Sequence, residues 1–270
     1  MNGEEVQMWG AIAGDIIGSL YEAAPIKSRD FPLFSRRSRA TDDSVLTVAT
    51  MAAILRNEGY GRMYKEFGRA YPHAGYGASF RRWLASSSVE PYGSFGNGAA
   101  MRVSPVGWAF DTEGEVLEQA GASAACTHDH PEGIKGAQAT ALAVFMARSG
   151  EPPGSIRTAV EKRFGYDLQR RVADIRPAYS FDPTCQGSVP EALICLLEAA
   201  DYEDAVRSAV SLGGDSDTLA CIAGGVAEAR FGPLPEHIAA EVRRRLPSEL
   251  TAVVNRFAER YGERLRRAEE

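Results

Sequence analysis

Six apolar stretches of helical length, most of them rich in alanine or leucine, limit what this chain can fold into. They lie at 44–55 (SVLTVATMAAIL), 116–126, 134–147 (IKGAQATALAVFMA), 189–200 (VPEALICLLEAA), 201–211 and 218–231. Two aspartates precede the first and can cap it, while Pro190 falls in the first turn of the fourth, where its missing N–H does no harm. From Leu234 onward the sequence is charged and amphipathic, which predicts outer helices. No run alternates over several residues, and no Asn-Gly joins two alternating runs. The reading is an all-α chain with one domain over residues 1–270.

A length of 270 residues suits one large core better than two. Hydrophobic residues at 44% and charged residues at 24% are ordinary for a globular protein. The net charge of -6 argues against broad phosphate-backbone binding, which needs a cationic surface. It leaves room for one nucleotide-sized ligand held by local donors. Cys126, Cys185, Cys195 and Cys221 form no C-x-x-C pair and read as small buried hydrophobes in a reducing compartment. The acidic start, Asn2 to Glu5, lacks the basic residues of a secretory signal, and no stretch reaches the length of a membrane span. These features predict a cytoplasmic protein that does not enter a membrane.

Two carboxylate clusters stand out: Thr41-Asp42-Asp43, and Gly213-Gly214-Asp215-Ser216-Asp217-Thr218. Each comes just before an apolar helical stretch. The free N–H groups of a helix start favour ionised carboxylates there, and carboxylate with threonine hydroxyl is an oxygen-only donor set for magnesium or manganese. Gly213 and Gly214 allow a tight turn that points Asp215 and Asp217 to one side. Taken singly, each cluster is equally a helix cap. A D-x-D phosphatase is a rival for 215–217, but its motif should follow a strand and carry Thr or Val where Leu219 stands. A calcium loop lacks its downstream glutamate.

Between the clusters, the glycine-rich 93–101 loop (GSFGNGAAM) can present backbone N–H groups to phosphate oxygens. Thr127-His128-Asp129-His130 has two histidines at chelating spacing but no further Cys or His cluster, so zinc is disfavoured; Pro131 suggests a turn into a helix. Tyr71, Tyr76, Trp83 and Tyr92 are candidate aromatic walls for a base and equally candidates for the core. Arg102 reads as structural, tied to an acidic residue inside the fold.

Together these elements resemble the ADP-ribosylhydrolase family, closest in motif to its ADP-ribosylserine hydrolase branch. The likeness runs through Gly10-Ala11-Ile12-Ala13-Gly14-Asp15, Gly18-Ser19-Leu20-Tyr21-Glu22, Thr41-Asp42-Asp43-Ser44, 93–102, Thr127-His128, Ser188-Val189-Pro190-Glu191-Ala192 and 213–218, in family order. Leu20 departs from an aromatic in that pattern.

The resemblance implies a compact orthogonal helical bundle holding two magnesium or manganese ions. Thr41, Asp42, Asp43, Asp215, Asp217 and Thr218 match the family's metal ligands. It implies hydrolysis at the anomeric carbon of the distal ribose, with Glu22, Asp43 and Asp217 in the chemistry and Glu22 moving the proton. The substrate is then an ADP-ribosylated protein, serine-linked or arginine-linked, a small conjugate such as O-acetyl-ADP-ribose, or a modified nucleic-acid base. Gly93, Ser94, Phe95, Gly96, Asn97, Gly98, Met101 and His128 match positions that line the ADP-ribose site, with the amides near Gly96 and Gly98 as phosphate donors. Asp15 matches an early aspartate of supporting role. A non-catalytic ADP-ribose binding module is the alternative. It would keep the glycine-rich loop without turnover, and the complete acidic set argues against it.

Overall fold

The computed structural model describes the backbone of residues 7–269 and the side chains of residues 7–262. Its helices are α1 (Gly10–Gly18), α2 (Asp42–Arg56), α3 (Tyr60–Ala70), α4 (Ala78–Ala85), α5 (Ser104–Ala109), α6 (Glu113–Ala125) and α7 (Pro131–Arg148), followed by α8 (Pro153–Phe164), α9 (Val172–Ile175), α10 (Cys185–Glu198), α11 (Tyr202–Val210), α12 (Ser216–Phe231), α13 (Glu236–Arg245) and α14 (Ser248–Glu269). Among the described residues the only β pairing is a single bridge between Gly96 and Thr184. The protein is all-α, as its apolar periodicity predicts.

The architecture turns on α1 and α12, which share the largest interface between helices. Every residue of α1 is buried, and so is α12 from Ser216 to Glu228. Gly10, Gly14 and Gly18 stand one helical turn apart and form a bare stripe on α1. A Cβ at each would overlap backbone atoms of Gly224, Ala220 and Ser216, which repeat at the same spacing along α12. The helices therefore meet backbone to backbone. Around this pair, α7, α10 and α11 pack on α12, while α2 packs on α1. The consequence is positional. α1 sets the first turn of α2, carrying Asp42 and Asp43, beside the first turn of α12, carrying Asp217.

Two sequence readings shift. The fourth apolar helix starts at Cys185, not at 189, because Thr184 caps it by accepting from the Gly187 N–H at 3.1 Å. Pro190 therefore lies inside α10 and forfeits the bond to the carbonyl four residues back. The stretches 23–40, 70–100 and 171–188, rich in Gly, Pro, Ser and aromatic residues, read as irregular in the sequence, yet the second and third contain α4 and α9. The 23–40 stretch is free of helix, and the C-terminal helices α13 and α14 are amphipathic. Cys185, Cys195 and Cys221 are buried, Cys126 is partly exposed, and none is in a disulfide.

Candidate active site

A cleft of about 490 Å3 opens where these helix starts converge. It is lined at one end by Glu22, Thr41, Asp42, Asp43, Asp215, Asp217 and Thr218, and at the other by Ser94, Gly96, Asn97, Gly98, Met101 and His128. Clusters 170 residues apart in sequence thus share one wall. Gly93 lies outside the lining and donates its N–H to Asp129 Oδ1 at 2.7 Å. Phe95 is also outside it, 44% exposed and packed against His130.

Asp15 organises the acidic end from beneath. Its Oδ2 accepts from the N–H groups of Thr41 (2.9 Å) and Ser44 (3.0 Å) and from the Ser44 hydroxyl, and its Oδ1 accepts from Thr41 Oγ1 at 2.7 Å. Four donors occupy this carboxylate. Although its oxygens lie within 4.8 Å of those of Asp43 and Asp217, they are spent on holding the start of α2. The Thr41 hydroxyl donates its hydrogen to Asp15 and accepts from the Asp43 N–H at 3.3 Å, which leaves one lone pair for a cation.

Oxygens of Glu22, Asp215 and Asp217 likewise come within 4.8 Å of one another. Asp43, Asp215 and Asp217 are buried, whereas Glu22 is exposed on the cleft rim. Asp43 and Asp217 are pushed well above the usual carboxylate range, first by burial and then by each other's neighbours: Asp15 and Asp42 act on Asp43, and Asp43 and Asp215 on Asp217. Asp42 is pushed up to about 7 by burial and by Asp15. Glu22 is raised by burial and by Asp215, against the pull of Arg39, which sequence reasoning missed. Asp43 Oδ1 is buried with no hydrogen-bond partner. Buried carboxylates crowded together, with one oxygen left without a partner, are the donor environment that a hard divalent cation neutralises.

The opposite end is closed on itself. Asn97 N–H donates to the Pro183 carbonyl at 2.8 Å and Cys185 N–H to the Phe95 carbonyl at 2.9 Å, zipping the glycine-rich loop to the start of α10. The Gly96 N–H, expected as a phosphate donor, is turned onto Ser94 Oγ at 3.1 Å. That bond uses a lone pair of Ser94 and leaves its hydroxyl proton to donate. Asn97 Nδ2 donates to Ser188 Oγ at 3.0 Å and to Asp215 Oδ2 at 2.7 Å, so this side chain links the loop to the acidic end. Met101 packs beneath, its carbonyl accepting from Thr47 Oγ1 and Cys221 Sγ. Burial, and secondly Arg102, hold His128 well below the usual imidazole range. His130 is no metal ligand: its Nδ1 caps α7, accepting from Glu132 N–H at 3.1 Å.

Of the four aromatic candidates only Tyr92 lines the cleft, its ring 5.9 Å from that of His128. Tyr76 and Trp83 are core residues, and Tyr71 borders a separate groove beside α14. Phe181, 52% exposed on the cleft wall, went unrecognised. Its only sequence signal is an apolar ring inside the polar stretch Ser180 to Thr184.

The sequence model of the ADP-ribosylglycohydrolase family matches residues 7–267. The chain belongs to this family. Among its relatives, ADP-ribosylhydrolase ARH3 of Homo sapiens is 28% identical over 83% of this chain and 84% of the relative. ADP-ribosylhydrolase ARH3 of Mus musculus is 27% identical over 83% and 82%. A solved structure described as an ADP-ribosylglycohydrolase-related protein complex shares the fold, with a TM-score of 0.69 at 23% identity over 93% of this chain and 94% of that one. As an ADP-ribosylglycohydrolase family member, the protein is a hydrolase acting on ADP-ribosyl linkages. Its acidic cluster can hold divalent metal. No helix among the described residues is long and apolar enough to cross a membrane.

Proposed function

We propose that residues 1–270 form one catalytic unit that cleaves the bond at the anomeric carbon of the distal ribose and releases ADP-ribose from an O-linked acceptor. ADP-ribosylserine on protein and small esters such as O-acetyl-ADP-ribose are the favoured substrates, ahead of arginine-linked or nucleic-acid-linked forms. The observation carrying this reading is the pairing, in one cleft, of an uncompensated carboxylate group with a preformed donor loop.

Two magnesium or manganese ions fit the acidic end, with Asp43, Asp215 and Asp217 as carboxylate donors and Asp42, Thr41 and Thr218 completing the oxygen set. Bound there, such ions supply charge stabilisation for the ribose diol and an activated water. The chain's own residues do the rest. Ser94, Gly98 and His128 bind the diphosphate, and Met101 forms the floor. Asn97 holds Asp215 in line with the loop.

Glu22 stands at the rim beside Asp215 and Asp217, its carboxyl raised by partial desolvation and then by Asp215, and in this reading it donates a proton to the departing oxygen and then takes one from water. That suits an O-linked acceptor, whose alkoxide needs a proton as the oxocarbenium-like state forms. Asp43 and Asp217, on the same cleft wall, orient the reacting sugar. A cytoplasmic location agrees with the cysteine usage.

The test is a panel of serine-, arginine-, ester- and nucleic-acid-linked ADP-ribose, each with and without magnesium. The expected result is magnesium-dependent release, fastest from the O-linked members. Release of ADP-ribose from none of them would overturn the reading.

A further inference from the structure

Arg102 heads the fully buried side chains by size, yet among the described residues no carboxylate pairs with it. Its Nη2 donates to the Ser123 carbonyl at 3.2 Å and to Thr127 Oγ1 at 2.7 Å, while Nε and Nη1 have no partner. The guanidinium carbon sits 4.0 Å from the centroid of the Tyr64 ring. This overturns the expectation of an acidic partner. A buried cation without a counter-charge is costly, so its retention here, at the cleft wall, asks for a role beyond packing.

Thr127 connects it to the cleft. Its Oγ1 lies 2.7 Å from His128 Nδ1, and the remaining ring nitrogen, Nε2, faces the glycine loop: a Cβ on Gly98 would stand 3.2 Å from it and one on Gly96 3.7 Å. We propose that Arg102 is a positioning residue which, through Thr127, fixes the ring hydrogen of His128 on Nε2 and aims it as a donor at an anionic ligand group beside Gly98.

A hydroxyl that accepts from a cation is polarised to donate onward, and Nδ1 is its acceptor at 2.7 Å, with the Tyr92 hydroxyl and the Cys126 thiol also near Thr127. Placing a hydrogen on Nδ1 instead would turn an N–H dipole toward the guanidinium. Burial keeps the ring uncharged, so one hydrogen is shared between two nitrogens and the neighbour of Nδ1 decides its place. The identity of the ligand group as a diphosphate rests on the ADP-ribose reading above; the tautomer does not.

Two-bond 1H–15N correlation spectra of the ligand-free, 15N-labelled protein read the tautomer directly, with His128→Gln identifying the signal among the four histidines. The expected pattern is Nε2–H in the wild type and in Thr127→Ser, and a tautomer mixture in Thr127→Val and Arg102→Met. ADP-ribose affinity should fall about tenfold in Thr127→Val and recover in Thr127→Ser, with kcat at saturation nearly unchanged. Thr127→Val conserves shape and carries the test if Arg102→Met does not fold. An Nδ1–H signal in the wild type, or an unaltered Nε2–H signal in Thr127→Val, overturns the proposal. If the tautomer responds as described but ADP-ribose does not bind the wild type, the positioning role stands and the ligand reading falls.

Discussion

The two ends of the cleft differ in how far the protein satisfies its own polar groups. At the glycine-rich end the loop is tied down by its own pairs: Gly93 to Asp129, Gly96 to Ser94, Asn97 to Pro183, Phe95 to Cys185. At the acidic end, Asp43 and Asp217 repel their neighbours and one Asp43 oxygen has no partner. The first end is preorganised and needs only its ligand. The second is a crowd of buried carboxylates that could take up a positive charge. The protein tolerates it because α1 is locked on α12 and Asp15 clamps Thr41 and Ser44 from below, so backbone packing holds the carboxylates together against their repulsion.

Removing a carboxylate should have the largest effect. Asp217→Ala is expected to lower magnesium-dependent turnover by roughly 10³-fold or more. The cation-free protein should melt higher than wild type, since a buried repulsion is relieved. An unaltered rate, or a lower cation-free melting temperature, breaks the contrast between the ends. Next comes Glu22→Gln, which should reduce kcat by about 10²–10⁴-fold while leaving KM within about a factor of two. A matching loss in binding would make Glu22 a contact rather than a proton carrier.

Asn97→Ala tests whether the ends communicate. It deletes the hydrogen bond to Asp215 and should cost about tenfold in kcat/KM, with weakened divalent-cation affinity in calorimetry. Loss of ADP-ribose affinity alone would show that Asn97 serves only the loop.

The smallest effect is on stability against pH. Asp42 is pushed up to about 7 in the folded protein from an ordinary value of 3.8. Between those values the folded state keeps a proton that the unfolded chain has lost, so stability falls as pH rises. In chelator the melting temperature should decline from pH 4 to about 7, and magnesium should flatten that slope. The same slope with and without magnesium would mean that the carboxylates do not feel the cation.

Much of the site was legible because its parts are local in sequence. Thr41-Asp42-Asp43, Asp215 to Thr218 and the 93–98 loop each carry their donor chemistry within a few residues, and family order joined them. What stayed hidden depends on contacts across the fold. The Gly10, Gly14 and Gly18 stripe reads as a motif but not as the surface that α12 lies on. The Asn97–Asp215 link spans 118 residues, and the path from Arg102 to Thr127 spans 25. Phe181 has no periodicity around it to mark it as a wall. Prolines favour first turns, so Pro190 reads as a helix start in the sequence, whereas the Thr184 cap sets the start earlier.

The most direct test of the crowded acidic end is a manganese titration followed by electron paramagnetic resonance. Two manganese ions held by shared carboxylates should sit roughly 3.5–4 Å apart and give a spin-coupled spectrum at two equivalents. The coupled signal is expected in the wild type and should be lost in Asp217→Ala. A spectrum of isolated ions at every loading, or no bound manganese, would contradict it.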